Sequence, residues 1–302
     1  MKKRIAGILL SLIALSSLFI FLLFLKTPGN KQVDFGLDDQ LYGITIDDSW
    51  YDSVELDDIV AAIEDMPVKP IVRIVMSNDT EAKDYVDLFK RLHQVAYIMA
   101  CPVDSYDMNQ YDSVISYQRR FEDSFSHLSD YTDIWEIGNE VNGLEWIQQE
   151  NSLITSKLEA AYQTIVAAGG QTALTFYYEK PNSQKSMFNW IEENIPNSMR
   201  QGLDYSFISY YEDDNDGFQP QWQSVFEQFQ VLFPYSRVGI GECGKTALNA
   251  SVESKISMAE EYYSMPKYTE NYIGGYFWWY WVQDCLPHQR NRIYQAINEH
   301  MK

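Results

Sequence analysis

The eight residues DIWEIGNE, Asp133–Glu140, decide the fold of this chain. They begin as an apolar, strand-like run and close on Gly138, Asn139 and Glu140, with VNG beyond, which is how a buried strand gives way to a loop. Seven further segments have the same character. They are YGITID (Tyr42–Asp47), PIVRIVMS (Pro70–Ser77), AYIMAC (Ala96–Cys101), TALTFYY (Thr172–Tyr178), YSFISYY (Tyr205–Tyr211), RVGIGEC (Arg237–Cys243) and IGGYFWWYW (Ile273–Trp281). Between them lie stretches with apolar residues at helical spacing, among them VELDDIVAAIEDM, EAKDYVDLFKRLHQV, SLITSKLEAAYQTIVAAG, WQSVFEQFQVLF, VESKISMAEEYYSM and, last, RNRIYQAINEHM. DIWEIGNE is then strand four of eight. Eight strands each followed by a helix, over about 260 residues, predict a (β/α)8 TIM barrel spanning 41–302 as one domain. No glycine-rich phosphate loop follows the first strand, which counts against an open doubly wound sheet.

The N-terminus reads differently. MKKR, residues 1–4, precedes an uncharged apolar run from Ile5 to Leu25, and residues 26–40 form a polar linker. At about 1.5 Å per residue a helix over 5–25 is long enough to cross a bilayer core. The expectation is a single transmembrane helix ahead of the barrel, with Lys2, Lys3 and Arg4 in the cytoplasm and the barrel outside. A cleaved signal peptide and secretion form the alternative, although no small-x-small cleavage site stands out before KTPGNKQ.

The 302 residues carry a formal net charge of −20, which argues against a nucleic-acid partner and favours a neutral or cationic one. Cys101, Cys243 and Cys285 are too few for a disulfide scaffold, although Cys243 and Cys285 each follow a strand end, where a bridge could form in an oxidising compartment. His93, His127, His288 and His300 show no paired ligand spacing, so neither a catalytic metal nor a cofactor is expected.

In such a barrel the site is built where the strands end at their C-termini. Glu140 closes strand four and Glu242 strand seven, each after a glycine-containing run, IGNE and GIGE. Two carboxyl groups across one mouth, one protonated and one ionised, form the pair that hydrolyses glycosidic bonds. Glu136, four residues before Glu140, reads as a salt-bridge partner inside the barrel.

An Asn-Glu closing strand four with a Glu closing strand seven resembles the retaining glycoside hydrolases of clan A. The resemblance implies Glu140 as general acid/base, Glu242 as nucleophile and Asn139 as the residue that holds the sugar 2-hydroxyl. It further implies that Arg73 on strand two and a strand-six tyrosine, Tyr210 or Tyr211, hydrogen-bond the nucleophile. A closing-strand tryptophan, Trp279 ahead of Trp281, would floor the sugar site. No histidine precedes the strand-six tyrosine, where many clan members have one. Trp50, Trp146 and Tyr178 are candidates for stacking on sugar rings, and YEDDNDG, Tyr211–Gly217, either lines the cleft or forms a solvated turn. The expected activity is endo-hydrolysis of a cell-surface glycan or exopolysaccharide by a monomer, short loops suggesting an open cleft. A transglycosidase with the same residues, or an inactive carbohydrate-binding barrel, are the alternatives.

Overall fold

The computed structural model describes residues 40–181 and 186–301. The apolar run 5–25 and its linker up to residue 39 lie outside the described residues. Among the described residues no helix is long and apolar enough to cross a membrane.

Eight strands form a closed parallel barrel in chain order, with the last strand paired to the first. They are β1 Leu41–Ile46, β2 Ile71–Val75, β3 Tyr97–Cys101, β4 Ile134–Glu136, β5 Gln171–Tyr177, β6 Tyr205–Tyr210, β7 Arg237–Cys243 and β8 Tyr272–Trp278. One main helix follows each: α1 Leu56–Glu64, α2 Val86–Leu92, α3 Val114–Leu128, α4 Asn151–Ala167, α5 Met187–Asn194, α6 Trp222–Leu232, α7 Val252–Tyr263 and α8 Arg292–Glu299. Short helical turns over Leu144–Ile147, Asn197–Gly202 and Trp281–Cys285 fill out the connections.

The period of two along each strand separates two cores. Leu41, Ile71, Met99, Ile134, Ala173, Tyr205, Phe207 and Phe277 pack together as one buried cluster inside the barrel. Their strand neighbours, such as Ile44, Val72, Ile98, Trp135, Leu174, Ile208 and Ile240, join the larger layer with the helices. In α3 the buried face is Tyr117, Arg120, Phe121, Ser124 and Leu128, one helical stripe, and Ser113 and Ser116 start the helix with a reciprocal capping box. Burial of a side chain such as Phe121 contributes about 1.5–3 kcal/mol. The Tyr117 hydroxyl donates to the Ile137 carbonyl at 2.8 Å, tying this helix to the chain just ahead of Glu140.

Two departures from regular strand geometry shape the mouth. β4 is regular only to Glu136, after which Ile137 N–H still donates to the Ala173 carbonyl (2.8 Å) and Thr175 N–H to the Gly138 carbonyl (3.1 Å). In β7 the register against β6 slips, Ile208 facing Ile240 but Ser209 facing Glu242. Gly241 is therefore the extra residue of a bulge. Val238 and Ile240 face the helix layer, so strict alternation would send Glu242 there too, and the bulge turns it inward. A side chain at position 241 would collide with Phe207, whose Cβ would lie 2.5 Å from the added carbon.

Candidate active site

The polar centre lies inside the mouth of the barrel. Arg73, fully buried on β2, points inward with Ile71, two residues before it on the strand. Its Nε donates to Glu136 Oε2 and its Nη1 to Glu242 Oε2, both at 2.7 Å. Glu136 is thus an ion-pair partner within the barrel, and it also accepts from the Thr175 hydroxyl. An unpaired charge at this depth would cost about 3–5 kcal/mol, so the guanidinium and its two carboxylates form one unit. Burial alone would lower the Arg73 pKa, but the charges of Glu136 and Glu242 hold it well above its ordinary value.

Tyr211 donates its hydroxyl to the other oxygen of Glu242, Oε1, at 2.6 Å. Parity decides between the two strand-six tyrosines. Tyr205, Phe207, Ser209 and Tyr211 alternate inward, whereas Tyr210 turns toward the helices, packs on Trp222 and Tyr178, and gives its hydroxyl to the Phe218 carbonyl. Tyr210 is therefore not a partner of Glu242.

Glu140 is 6% exposed and adopts a left-handed backbone conformation, φ 44°. Such a conformation costs about 1–3 kcal/mol in a residue with a side chain and occurs preferentially at functional sites. The Ser209 hydroxyl donates to Glu140 Oε1. Burial pushes the Glu140 carboxyl well above the usual range, and the nearby charge of Glu242 adds to the effect, outweighing the Ser209 hydrogen bond. Burial also raises Glu242, to about 7, with the Arg73 charge and the Tyr211 hydroxyl opposing it. The two carboxyls thus sit in unequal settings: Glu242 has a cation and a hydroxyl donor, Glu140 a hydroxyl alone.

Both open into one cavity of about 690 Å³. Asn139, 1% exposed, lines it beside Glu140, its Nδ2 donating to Asp104 Oδ1 at 2.9 Å while its Oδ1 has no partner. Trp279 forms another wall, its ring centroid 6.0 Å from the Arg73 guanidinium carbon. Tyr106 stacks on Trp146 (6.0 Å) and Trp146 meets Tyr177 edge-on (5.3 Å), adding aromatic faces to the cavity lining. The chain after β4 is fastened there by Asn142, whose side-chain amide exchanges two 2.8 Å hydrogen bonds with the backbone of Tyr177.

Other sequence-predicted contacts lie elsewhere. Tyr178 follows the inward Tyr177, so its ring turns outward against Phe188, Tyr210 and Trp222. Trp50 sits in a helical turn after β1, buried in the outer core and stacked on Tyr51. Trp279 and Trp281 do not share a strand face, because β8 ends at Trp278 and Tyr280 takes a left-handed turn, φ 61°. That turn starts the helix Trp281–Cys285, and Trp281 is fully buried there near Tyr294. In YEDDNDG, Asp214 and Asn215 line the cavity, while Asp213 pairs with Lys245 at 2.9 Å and Asp216 with Lys180. Cys101, Cys243 and Cys285 are free and buried.

Asp104, Tyr177 and Ser209 were not singled out from sequence. Strand parity could have found Tyr177 and Ser209. Asp104, in the loop after β3, had no such signal; it caps a helical turn by accepting from Tyr106 N–H.

Sugar-cleaving enzymes share this barrel. No family model matches the chain and no curated protein matches its sequence. Solved structures do resemble it in fold. A glucosidase from Croceicoccus marinus is 12% identical with a TM-score of 0.53; the match covers 80% of this chain and 60% of that one. A family 5 xyloglucanase from Paenibacillus pabuli is 16% identical at a TM-score of 0.53, covering 88% and 99%. A GH128 endo-beta-1,3-glucanase from Amycolatopsis mediterranei, in complex with laminaritriose and laminaribiose, is 9% identical at 0.51, covering 88% and 100%. At these identities the likeness is one of fold.

Proposed function

We propose that this chain is a retaining glycosidase of the clan A kind, with Glu242 as nucleophile and Glu140 as general acid/base. The observation that carries the reading is the unequal pair: Glu140 and Glu242 enter one cavity, and only Glu242 is held by a buried arginine and a tyrosine hydroxyl. The more ionisable carboxylate attacks the anomeric carbon. The carboxyl that keeps its proton to higher pH donates it to the departing glycosidic oxygen. In the second half, Glu140, now ionised, takes a proton from water as the water oxygen displaces Glu242 from the anomeric carbon. The sugar is released and both carboxyls return to their starting states.

The remaining geometry supports the same division. Arg73 and Tyr211 stabilise negative charge on Glu242 before attack and when it departs again. Ser209 orients Glu140. Trp279 offers an aromatic floor, and Asn139 a polar contact beside the acid. A cavity of about 690 Å³ has room for more than one sugar ring, as cleavage within a chain requires. With residues 5–25 as an anchor and a linker of about 15 residues, the barrel would act outside the cell on a glycan close to the membrane. Secretion after cleavage is the other placement.

The test is hydrolysis of a polysaccharide panel by the wild type, Glu140→Gln and Glu242→Gln. Loss of activity in both is expected, about 10²–10⁴-fold for Glu140→Gln. With aryl glycosides of acidic phenols, whose leaving group needs no proton, that variant should recover the first step but not the second, where Glu140 acts as base. Equal hydrolysis by the wild type and Glu242→Gln would overturn the assignment.

A further inference from the structure

The cavity is acidic well beyond the catalytic pair. Besides Glu140 and Glu242 its lining includes Asp104, Glu145, Glu179 and Asp214, six carboxyl groups in all. Among the described lining residues the ammonium of Lys180 is the one cationic group, and it is engaged by Asp216. Arg73 lies below, committed to Glu136 and Glu242. A neutral glycan needs no such excess, and an anionic one would be repelled by it.

A second observation, independent of the charge, shows where a ligand donor is received. Asn139 Oδ1 is buried, lies beside Glu140 and accepts no hydrogen bond. Its orientation is fixed chemically, because the other end of the amide donates to Asp104, and a carboxylate accepts hydrogen bonds. A buried acceptor left unsatisfied costs about 1–3 kcal/mol, so the site is built to receive a donor there. Next to it Asp104 supplies negative charge.

We infer that the substrate is a cationic glycan, one with 2-amino-2-deoxyhexose units carrying free amino groups, an amino group of the bound chain donating to Asn139 Oδ1 beside Asp104. The inference rests on the glycosidase reading for its relevance to turnover, but binding tests it separately. The ammonium group supplies up to three donors where the cavity offers acceptors, and the outer carboxylates Glu179 and Asp214 attract neighbouring amino sugars along the chain. Tyr106, Trp146, Tyr177 and Trp279 take the apolar faces of the rings.

The experiment is calorimetric binding to the full-length protein bearing Glu242→Gln, with Glu140→Gln as a second form should the first fail to fold. The probes are β-1,4-linked glucosamine tetramer, its fully N-acetylated counterpart and cellotetraose, with β-1,6-linked glucosamine oligomers and their N-acetylated forms alongside. Binding of a free-amine oligomer about tenfold or more tighter than its acetylated and neutral counterparts is expected. That preference should shrink as salt rises, since screening over about 8 Å at physiological ionic strength weakens charge attraction. It should also shrink in Glu179→Gln and Asp214→Asn. Equal or tighter binding of the acetylated or neutral oligomers, or a preference insensitive to salt, overturns the inference and leaves the glycosidase reading standing. Amine-selective binding without hydrolysis by the wild type supports the ligand class while removing the glycosidase reading.

Discussion

Tyr211→Phe removes one hydroxyl and keeps the ring, so its effect isolates the 2.6 Å hydrogen bond to Glu242 Oε1. The bond favours the ionised carboxylate, and its loss raises the Glu242 pKa from about 7. A hydrogen bond to a charged group is worth about 1.5–3 kcal/mol, and one pKa unit corresponds to about 1.4 kcal/mol, so the shift is about 1–2 units. The acid limb of the kcat/KM profile, which reports ionisation of the nucleophile in the free protein, should move upward by that amount. Activity near pH 6 then falls about 10–100-fold, while the loss well above the new pKa is smaller. The assay is a pH profile on any substrate that supports turnover. Tyr210→Phe is the control, because that hydroxyl serves the Phe218 carbonyl outside the cavity. An unmoved acid limb in Tyr211→Phe, or an equal shift in Tyr210→Phe, would refute the reasoning.

Glu140→Gln should raise Tm by a few degrees at pH 8 while lowering activity about 10²–10⁴-fold. The folded Glu140 pKa is raised above its ordinary 4.5, so the folded state binds more protons than the unfolded one and loses stability as pH rises above about 4.5. The gain from Gln should vanish near pH 4, and a pH-independent gain would contradict this origin. Gly241→Ala places a carbon 2.5 Å from Phe207 Cβ and 2.9 Å from Thr175 Cγ2. Relief of that overlap should cost about 1–3 kcal/mol, read as a lower midpoint in urea, and disturb Glu242 enough to reduce kcat. Trp281→Ala should destabilise by about 3–5 kcal/mol with KM unchanged in the surviving folded protein. Trp279→Ala, by contrast, should raise KM with little change in Tm, and the reverse pattern would misplace both residues.

Strand counting was enough to place Glu140 and Glu242, because a parallel barrel brings every strand end to one mouth whatever its loops do. Parity is the finer guide where strands stay regular: it separates Tyr211 from Tyr210, a choice the sequence reading left open, and Tyr177 from Tyr178, where the sequence reading named the outward-turned Tyr178. It misled where the backbone leaves ideal geometry. Gly274, Gly275 and Tyr276 have φ of 84°, 95° and 64°, and Tyr280 turns the chain into a helix, so Trp281 does not follow Trp279. The bulge at Gly241 is the opposite case, since alternation alone would have aimed Glu242 at the helices. Helix α3 carries Arg120 and Ser124 on its buried face, which blurs its apolar stripe. The guanidinium there holds the carbonyls of Ser77, Thr80 and Pro102, a tertiary role that no local pattern announces. Asp104 acts at a distance of 35 residues from Asn139 in sequence, and only the closed barrel brings the two together.

In the proposed mechanism Glu242 bonds to the anomeric carbon on the face opposite the departing oxygen, and water later displaces it from the face that oxygen had occupied. Two displacements retain the anomeric configuration, whereas a single attack by water inverts it. Proton NMR of the first product formed from a β-linked oligosaccharide, followed before mutarotation, reads the difference directly. The β-anomer should accumulate first and the α-anomer only later, at the rate of mutarotation. Immediate appearance of the α-anomer would contradict the assignment of Glu242 as nucleophile.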